Sequence, residues 1–213
     1  MSTKSALRSR IRALLSSVPP PSLKSSGSAV AALLPSLPWY ESASTVGVYS
    51  DLRNELPTGD VIRALIEDGK GVYLPRCADG DDGADGPKMD FVRCFEAGRD
   101  DRSEWRRGKY GIMEPEGAAS DDDIDLLIVP GVAFDPVTFR RLGQGKGYYD
   151  RWIQGRRAGG GDGGPKVGKV VGVCLDCQVV EGVPFEEHDV VMDGLIWPGG
   201  GVQVRKTVDS PQS

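Results

Sequence analysis

Apolar side chains recur at helical spacing near the start of the chain and are followed there by three consecutive prolines. The spacing predicts an amphipathic helix over 4–17 that the prolines end, and a second helix is predicted around 27–34. The apolar positions of the first helix are Leu7, Ile11, Leu14 and Leu15.

Short apolar runs farther along the chain predict strands. The runs at 45–49 and 71–74 flank a helical pattern over 58–69, with Thr58 as its N-cap and Gly69 just past its end. This order predicts a right-handed β-α-β unit with parallel strands. Further strands are predicted at 89–95, 124–129, 167–175, 194–197 and 202–204.

Strands that alternate with helices indicate one α/β domain over residues 1–213. We predict an open, mainly parallel sheet with helices on both faces, whose ligands bind beyond the carboxyl ends of the strands. Two segments rich in Gly and Asp, 78–87 and 158–165, are predicted to be flexible surface insertions. Counted from Asp79, the first lacks the Gly and Glu of an EF-hand calcium loop.

Composition limits the class of protein. The 213 residues are 39% hydrophobic and 27% charged. They contain no apolar run near the roughly 20 residues of a membrane span. We therefore expect a water-soluble globular chain that does not bind membranes. Four cysteines and one histidine are too few for a disulfide scaffold or a multi-histidine metal site, and Cys174-x-x-Cys177 is interpreted as a pair of inert, reduced thiols rather than a zinc or redox site.

Charge is distributed unevenly along the chain, whose net charge is −5. Residues 1–40 contain five basic side chains and no acid, and residues 139–157 contain six basic side chains and one acid. Two short cationic segments in an otherwise acidic chain suggest a pocket for a small, multiply charged anion rather than a nucleic-acid surface.

A glycine loop, residues 143–147, lies between the strand at 124–129 and a helix expected to start near Gly147. It matches neither G-x-G-x-x-G, because position 148 is Tyr, nor the P-loop, because Lys146 precedes Gly. Bare backbone amides and a helix N-terminus still suit phosphate, and Arg141 with Lys146 would add charge. Asp150 could hold hydrated Mg²⁺; alternatively, the glycines only form a tight turn and Asp150 only pairs with an arginine.

The same region resembles the signature of the 5-formyltetrahydrofolate cyclo-ligases, also called methenyltetrahydrofolate synthetases. The resemblance is carried by 129–135 (VPGVAFD) and 141–150 (RLGQGKGYYD). Other matching motifs, in the same order as in the family, are Lys4-x-x-x-Arg8, 54–58 (NELPT), Leu74-Pro75, Glu114-Pro115 and 184–189 (PFEEHD). The likeness spans about residues 4–196, apart from the two insertions.

The resemblance implies a NagB/RpiA/CoA-transferase-like fold and the ATP- and Mg²⁺-dependent conversion of 5-formyltetrahydrofolate to 5,10-methenyltetrahydrofolate. In this reaction the γ-phosphoryl group passes to the formyl oxygen, N10 attacks the activated carbon, and phosphate leaves. The implied partners are these small molecules alone, with a monomer in the cytoplasm expected. A folate- or nucleotide-binding module without turnover is the alternative function.

The resemblance also implies roles for individual residues. Lys146, Arg141 and Tyr148 would be catalytic, and Asp150 with Asp189 would bind Mg²⁺. Folate would contact Glu55, Ser50, Gln144 and Tyr148. ATP would contact Lys4, Arg8, Arg141, Gly143, Gln144, Gly145, Lys146, Gly147, Tyr148 and Tyr149.

Some of these residues have simpler interpretations. Lys4, Arg8 and Arg12 share one helix face, which could be a solvated face or part of a mitochondrial presequence, since the first 40 residues are rich in Arg and Ser and lack acids. Glu55 alone would be a loop carboxylate, and His188 alone a loop hydrogen-bonding group. Gln144 departs from the family, where this position is often basic, and so does the ending after Trp197.

Overall fold

A mixed sheet with a parallel centre organises the protein. The computed structural model describes residues 3–52, 54–77, 88–96, 99–100, 105–107, 113–115, 117–159 and 164–206. The α-helices in these ranges are α1 (Lys4–Ser16), α2 (Pro20–Leu33), α3 (Gly59–Glu67) and α4 (Tyr148–Gly159). The strands are β1 (Thr45–Val48), β2 (Gly71–Cys77), β3 (Met89–Glu96), β4 (Arg99–Asp100), β5 (Trp105–Arg107), β6 (Met113–Pro115), β7 (Ile124–Val129), β8 (Ala133–Asp135), β9 (Arg140–Leu142), β10 (Val167–Val173), β11 (Gly194–Trp197) and β12 (Gly201–Val204).

The main sheet has the order β12-β11-β10-β7-β1-β2-β3-β4. Its five central strands, from β11 to β2, pair in parallel. The flanking strands β12, β3 and β4 pair antiparallel with their neighbours. In the described ranges, β5 with β6 and β8 with β9 form two small antiparallel ribbons. The prediction of an open, mainly parallel α/β sheet is confirmed.

Helices cover both faces of the sheet. On one face α1, α2 and α3 insert Ile11, Val30 and Leu65 into a core that also contains Val48 of β1. On the other face α4 packs Ile153 into a second core with side chains from β7 and β10. Burial of these apolar stripes is the main favourable contribution to this layered packing.

Most of the predicted elements are present with small changes at their ends. The β-α-β unit is parallel, and Gly69 adopts the left-handed conformation (φ 72°) just past α3. Thr58 precedes α3, but its hydroxyl bonds Tyr49 O and Asp51 Oδ1 instead of capping the helix.

Helix α2 begins at Pro20 rather than near 27, so this predicted boundary is wrong. Proline is tolerated in a first helical turn because the amide that it lacks has no partner there. The prolines therefore both end α1 and open α2. The predicted insertion at 78–87 lies outside the described residues; of 158–165, residues 158 and 159 end α4, and 160–163 also lie outside.

Candidate active site

A cavity of about 170 Å³ opens at the carboxyl edge of the parallel strands. Tyr49 and Ser50 directly follow β1, Cys77 ends β2, and Pro130 follows β7, and all four line the cavity. The ends of parallel strands leave a crevice at this edge because the helices return on the faces of the sheet. This cavity therefore lies at the edge of the sheet where the sequence predicts the ligand site.

The glycine loop and the start of α4 form one wall of this cavity. Gly145 and Gly147 have φ values of 109° and 69°, a region that residues with a Cβ rarely adopt. The amide of Arg151 donates to Gly147 O at 3.1 Å, which makes Gly147 the cap of α4. The positive end of the α4 dipole consequently faces the pocket.

Arg141 is the most deeply buried cation of the site, with a side chain only 4% exposed. It leaves β9, a strand that sequence analysis did not predict. Its guanidinium donates to Pro130 O at 3.0 Å and to Asp150 Oδ2 at 2.8 Å, and it lies over the Tyr149 ring at 5.6 Å. This planar fork fixes the first turn of α4 against the loop after β7.

The second predicted metal carboxylate lies next to the first. The amide of Val190 donates to Asp150 Oδ1 at 3.1 Å, which brings the adjacent Asp189 close to Asp150. Asp189 Oδ2 in turn accepts from Lys4 Nζ at 2.7 Å. Asp150 thus contacts Arg141 and the Val190 amide, and the neighbouring residue Asp189 contacts Lys4.

The cationic face of helix α1 packs against Asp189 and the glycine loop. Lys4 Nζ also lies 3.2 Å from Glu186. Burial lowers the pKa of Lys4, but hydrogen bonds to Asp189 and Glu186 and the charges of these two acids raise it, so the net shift of the pKa is upward. Arg8 Nε donates to Gly143 O at 2.9 Å, and Arg12 donates to Gln144 Oε1 at 2.7 Å. The face is thus bound to the site, and the solvated-face interpretation is wrong for these contacts.

Glu55 also lines the cavity, from the loop between β1 and α3. Its amide donates to Leu52 O at 2.9 Å, and its Oε2 accepts from the amide of Leu52 at 3.0 Å. Asn54 allows this tight turn by adopting φ 72°. Burial raises the pKa of Glu55, hydrogen bonds from Leu52 and Gln144 lower it, and the charge of Asp51 raises it further, with a net upward shift.

Ser50 Oγ and Arg141 Nε, which belong to pocket-lining residues, are buried and have no hydrogen-bond partner in the described part of the chain. A buried donor without a partner costs about 1–3 kcal/mol, and this cost falls here on residues that line the cavity.

The donor set fits magnesium held jointly with a nucleotide. No group of three or more His, Cys, Asp or Glu side chains among the described residues could hold an ion by itself. Mg²⁺ usually binds one or two carboxylates together with substrate phosphates and water. Asp150 and Asp189 meet that requirement, although Asp150 also forms the arginine pair of the simpler interpretation.

The structure brings most of the predicted residues together. Those that line the cavity are Ser50, Glu55, Arg141, Gly143, Gln144, Lys146, Gly147, Tyr148, Tyr149 and Asp150. Lys4, Arg8 and Asp189 do not line it but contact each other or the loop, as described above. Gly145 shapes the loop, with the Arg8 guanidinium 3.6 Å from where its Cβ would be.

Sequence reasoning missed several lining residues. They are Tyr49, Leu52, Pro75, Cys77, Met89, Glu114, Pro130 and Gly131. Glu114 was noted only as part of a motif, yet it is 1% exposed in the cavity wall. In the sequence, Glu114 is a lone acid in the dipeptide Glu114-Pro115, and without the fold this pattern does not indicate a function for it.

The cysteine pair fits the inert interpretation. Cys174 and Cys177 are both free thiols, and burial raises the pKa of each. A thiol whose pKa is raised is a poor nucleophile and a poor metal ligand.

Comparison with known proteins shows the family of this chain. The family model of the 5-formyltetrahydrofolate cyclo-ligase family matches residues 1–198. The chain is 30% identical over 213 residues to the 5-formyltetrahydrofolate cyclo-ligase of Saccharomyces cerevisiae, covering 95% of this chain and 98% of the relative. It is 31% identical over 202 residues to the enzyme of that name from Escherichia coli K12, covering 90% and 96%.

Solved structures show the same fold. The 5,10-methenyltetrahydrofolate synthetase of Aquifex aeolicus superposes with a TM-score of 0.75 at 26% identity, over 99% of this chain and 96% of that one. A Mycoplasma pneumoniae synthetase at 18% identity superposes with a TM-score of 0.63 over 92% and 98%, and supports the fold alone. The chain belongs to the 5-formyltetrahydrofolate cyclo-ligase family, whose members are ligases.

None of the helices that the structure describes combines the length and apolar character of a transmembrane span. The monomeric state, the cytoplasmic location and the absence of nucleic-acid partners stay predictions.

Proposed function

We propose that the protein converts 5-formyltetrahydrofolate to 5,10-methenyltetrahydrofolate with conversion of ATP to ADP and phosphate. The observation that carries the proposal is one cavity lined by two chemically different sets of groups. The phosphate wall holds the glycine loop, Lys146 and Arg141, and the folate wall holds the carboxylate of Glu55. The first suits a triphosphate, and the second suits the N–H edge of a pterin.

The phosphate wall combines three kinds of donor. Backbone amides of the glycine loop, the positive end of α4 and the cations Lys146 and Arg141 converge on it. Phosphoryl transfer depends on positioning and on charge stabilisation at the phosphate oxygens, which such a fixed set of donors supplies.

The folate wall reads the pterin by hydrogen bonds. A carboxylate that accepts two parallel N–H donors is suited to the amidine-like edge of that ring. Ser50 Oγ lies in the same wall with its hydrogen-bonding capacity unused within the described residues. We assign both side chains to substrate binding.

In the reaction, the formyl oxygen attacks the γ-phosphorus and ADP leaves. N10 of the folate then attacks the activated carbon and loses its proton, the C–O bond breaks, and phosphate departs with the formyl oxygen. Lys146 and Arg141 hold the transferred group, while Tyr148 at the start of α4 borders it. Asp150 and Asp189 would hold Mg²⁺, which would neutralise part of the negative charge of the ATP phosphates.

A turnover assay tests the proposal. Purified protein with ATP, Mg²⁺ and 5-formyltetrahydrofolate is expected to form the methenyl chromophore with one ADP per product. Absence of product with every nucleoside triphosphate would refute it. Tight binding of both substrates without ADP formation would instead identify a binding module that has lost turnover.

A further inference from the structure

The three residues between β7 and β8 form a turn whose backbone carbonyls accept hydrogen bonds from two buried side chains. This PGV turn consists of Pro130, Gly131 and Val132. Arg141 Nη1 donates to Pro130 O at 3.0 Å. Gln178 Nε2 donates to Gly131 O at 2.6 Å and to Val132 O at 3.3 Å. The turn is therefore held by two side chains, of which only Arg141 lines the cavity in the described structure.

The side chain of Gln178 has a fixed orientation. It belongs to a short 3-10 helix just after β10, Asp176–Gln178, and only 2% of the residue is exposed. The amide of Leu175 donates to Gln178 Oε1 at 2.9 Å, so the oxygen of the side-chain amide faces the start of its own helix. The NH₂ group, which carries two donors, then faces two carbonyls of the PGV turn. A flipped amide would oppose acceptor to acceptor at the turn and donor to donor at Leu175.

Arg141 packs closely on the PGV turn. A Cβ at Gly131 would lie 2.6 Å from the Phe134 ring and 3.0 Å from Arg141 Cγ, so no free space separates the turn from the arginine. The strand that carries Arg141 is joined to the turn as well, because the amide of Val132 donates to Leu142 O at 2.7 Å. A displacement of the turn therefore displaces the arginine.

We propose that Gln178 is a positioning residue for phosphoryl transfer, which holds the PGV turn in the place where Arg141 donates to it. This inference rests on the proposed role of Arg141 in holding the transferred phosphoryl group. Gln178 does not line the cavity in the described structure, so its effect reaches the substrates through the turn and Arg141. We expect the effect in the rate, because a displacement of about 1 Å at a reacting centre can cost about 10²-fold.

Turnover of Gln178→Met tests the proposal. Methionine has a similar length but cannot donate, so Gly131 O and Val132 O lose their side-chain partner. We expect kcat to fall about 10- to 100-fold at a temperature well below the unfolding of the variant. The affinity for 5-formyltetrahydrofolate, measured by calorimetry, should stay unchanged, because the proposed folate groups Glu55 and Ser50 lie on other loops.

Lys70→Met is the matched control. Lys70 is 7% exposed, and its Nζ donates to the carbonyls of Tyr40 and Ala43, each at 2.7 Å. It directly precedes β2 at the amino edge of the parallel strands, whereas the cavity opens at their carboxyl edge. Like Gln178→Met, this variant removes a buried donor from two backbone carbonyls. It should therefore lower the urea midpoint of unfolding and keep the wild-type kcat.

Three results would overturn the proposal. They are a folded Gln178→Met protein with wild-type kcat, an equal fall of kcat in Lys70→Met, and a loss of folate affinity as large as the loss of kcat. If Gln178→Met does not fold, Gln178→Asn decides by the same criteria. Its amide is one methylene short of the PGV turn, so kcat should fall in the same way but by less.

A second readout needs no substrate. The Nε–H group of Arg141 is buried and has no hydrogen-bond partner in the described part of the chain, and its nitrogen–proton NMR resonance reports the surroundings of the guanidinium. Gln178→Met should shift this resonance in the unliganded protein, and Lys70→Met should not. An unshifted resonance refutes the proposal even if turnover is found. A shift in a protein that fails the turnover assay would leave the positioning of Arg141 standing and refute only the enzymatic function.

Discussion

The ammonium of Lys4 lies 2.7 Å from Oδ2 of Asp189, and this ion pair joins the first helix to the loop before β11. The contact between Arg141 and Asp150 repeats the arrangement at 2.8 Å. In both pairs, a cation proposed to bind phosphate holds a carboxylate proposed to bind magnesium. The site is therefore internally neutralised, and nucleotide and metal must replace contacts that the protein makes with itself.

This pairing predicts that ATP and Mg²⁺ bind with strong mutual dependence. ATP alone would draw the cations from Asp150 and Asp189 and leave two carboxylates uncompensated, whereas Mg²⁺ with ATP would exchange one set of ion pairs for another. Calorimetry should show at least about 10-fold weaker ATP binding with a chelator than with Mg²⁺, a coupling within the usual range of 1–3 kcal/mol.

Asp189→Asn should reduce that dependence, because Lys4 then keeps only its contact with Glu186 and one carboxylate fewer is left uncompensated when ATP draws the ammonium away. Glu181→Gln, an exposed acid-to-amide change, is its matched control. Equal ATP affinities with and without metal in the wild type would contradict the exchange.

Removing one partner of the Arg141–Asp150 pair should destabilise the fold strongly. The side chains are only 4% and 14% exposed, so Arg141→Met leaves a largely buried carboxylate without its cation. We expect a loss of about 3–5 kcal/mol in the free energy of unfolding, measured with urea. Arg141→Met/Asp150→Asn should recover much of it, and a double variant as unstable as the sum of both single variants would show that the pair is not coupled.

Lys146→Ala should reduce turnover while the fold survives. Lys146 lines the cavity from the glycine loop, and loss of one charged donor from a transition state costs about 10²–10³-fold in kcat. Lys166→Ala removes the same charge at the amino end of β10, on the opposite edge of the sheet, and should leave turnover unchanged. A Lys146→Ala variant with wild-type kcat and unchanged thermal unfolding would exclude Lys146 from the reaction.

The sequence predicted those parts of the fold whose pattern is local. The run at 124–129 is apolar at five of six positions and became β7, and the parallel β-α-β unit followed from its strand and helix periods. The ribbon of β8 and β9 was missed because each strand has three residues, too few for a period to be visible. That ribbon nevertheless places Arg141 beside Asp150.

The candidate site was predictable where its residues are adjacent in sequence, as in the glycine loop. Contacts across the chain were not predictable from spacing. Arg12 and Gln144 are 132 positions apart, and nothing in either neighbourhood indicates that they meet. The charge pattern placed Arg12 on a face with Lys4 and Arg8, but only the fold shows what that face contacts.

Glu55 should destabilise the protein at neutral pH, although its carboxylate is proposed to bind the substrate. Its pKa in the folded state is raised above 4.5, chiefly by burial. Between pH 4.5 and this raised pKa, the folded state therefore binds more protons than the unfolded state. The free energy of unfolding consequently falls as the pH rises through this range. At neutral pH the full penalty of the buried charge is present.

Glu55→Gln removes this penalty and should raise the thermal unfolding temperature at pH 7 by a few degrees. The gain should shrink as the pH falls toward 4.5, where the wild-type carboxyl also loses its charge in the unfolded chain. Affinity for 5-formyltetrahydrofolate should fall at the same time, because an amide cannot accept two parallel N–H donors. A Glu55→Gln protein that is less stable at pH 7, or that binds the folate as tightly as the wild type, would show that Glu55 has only a structural role in its loop.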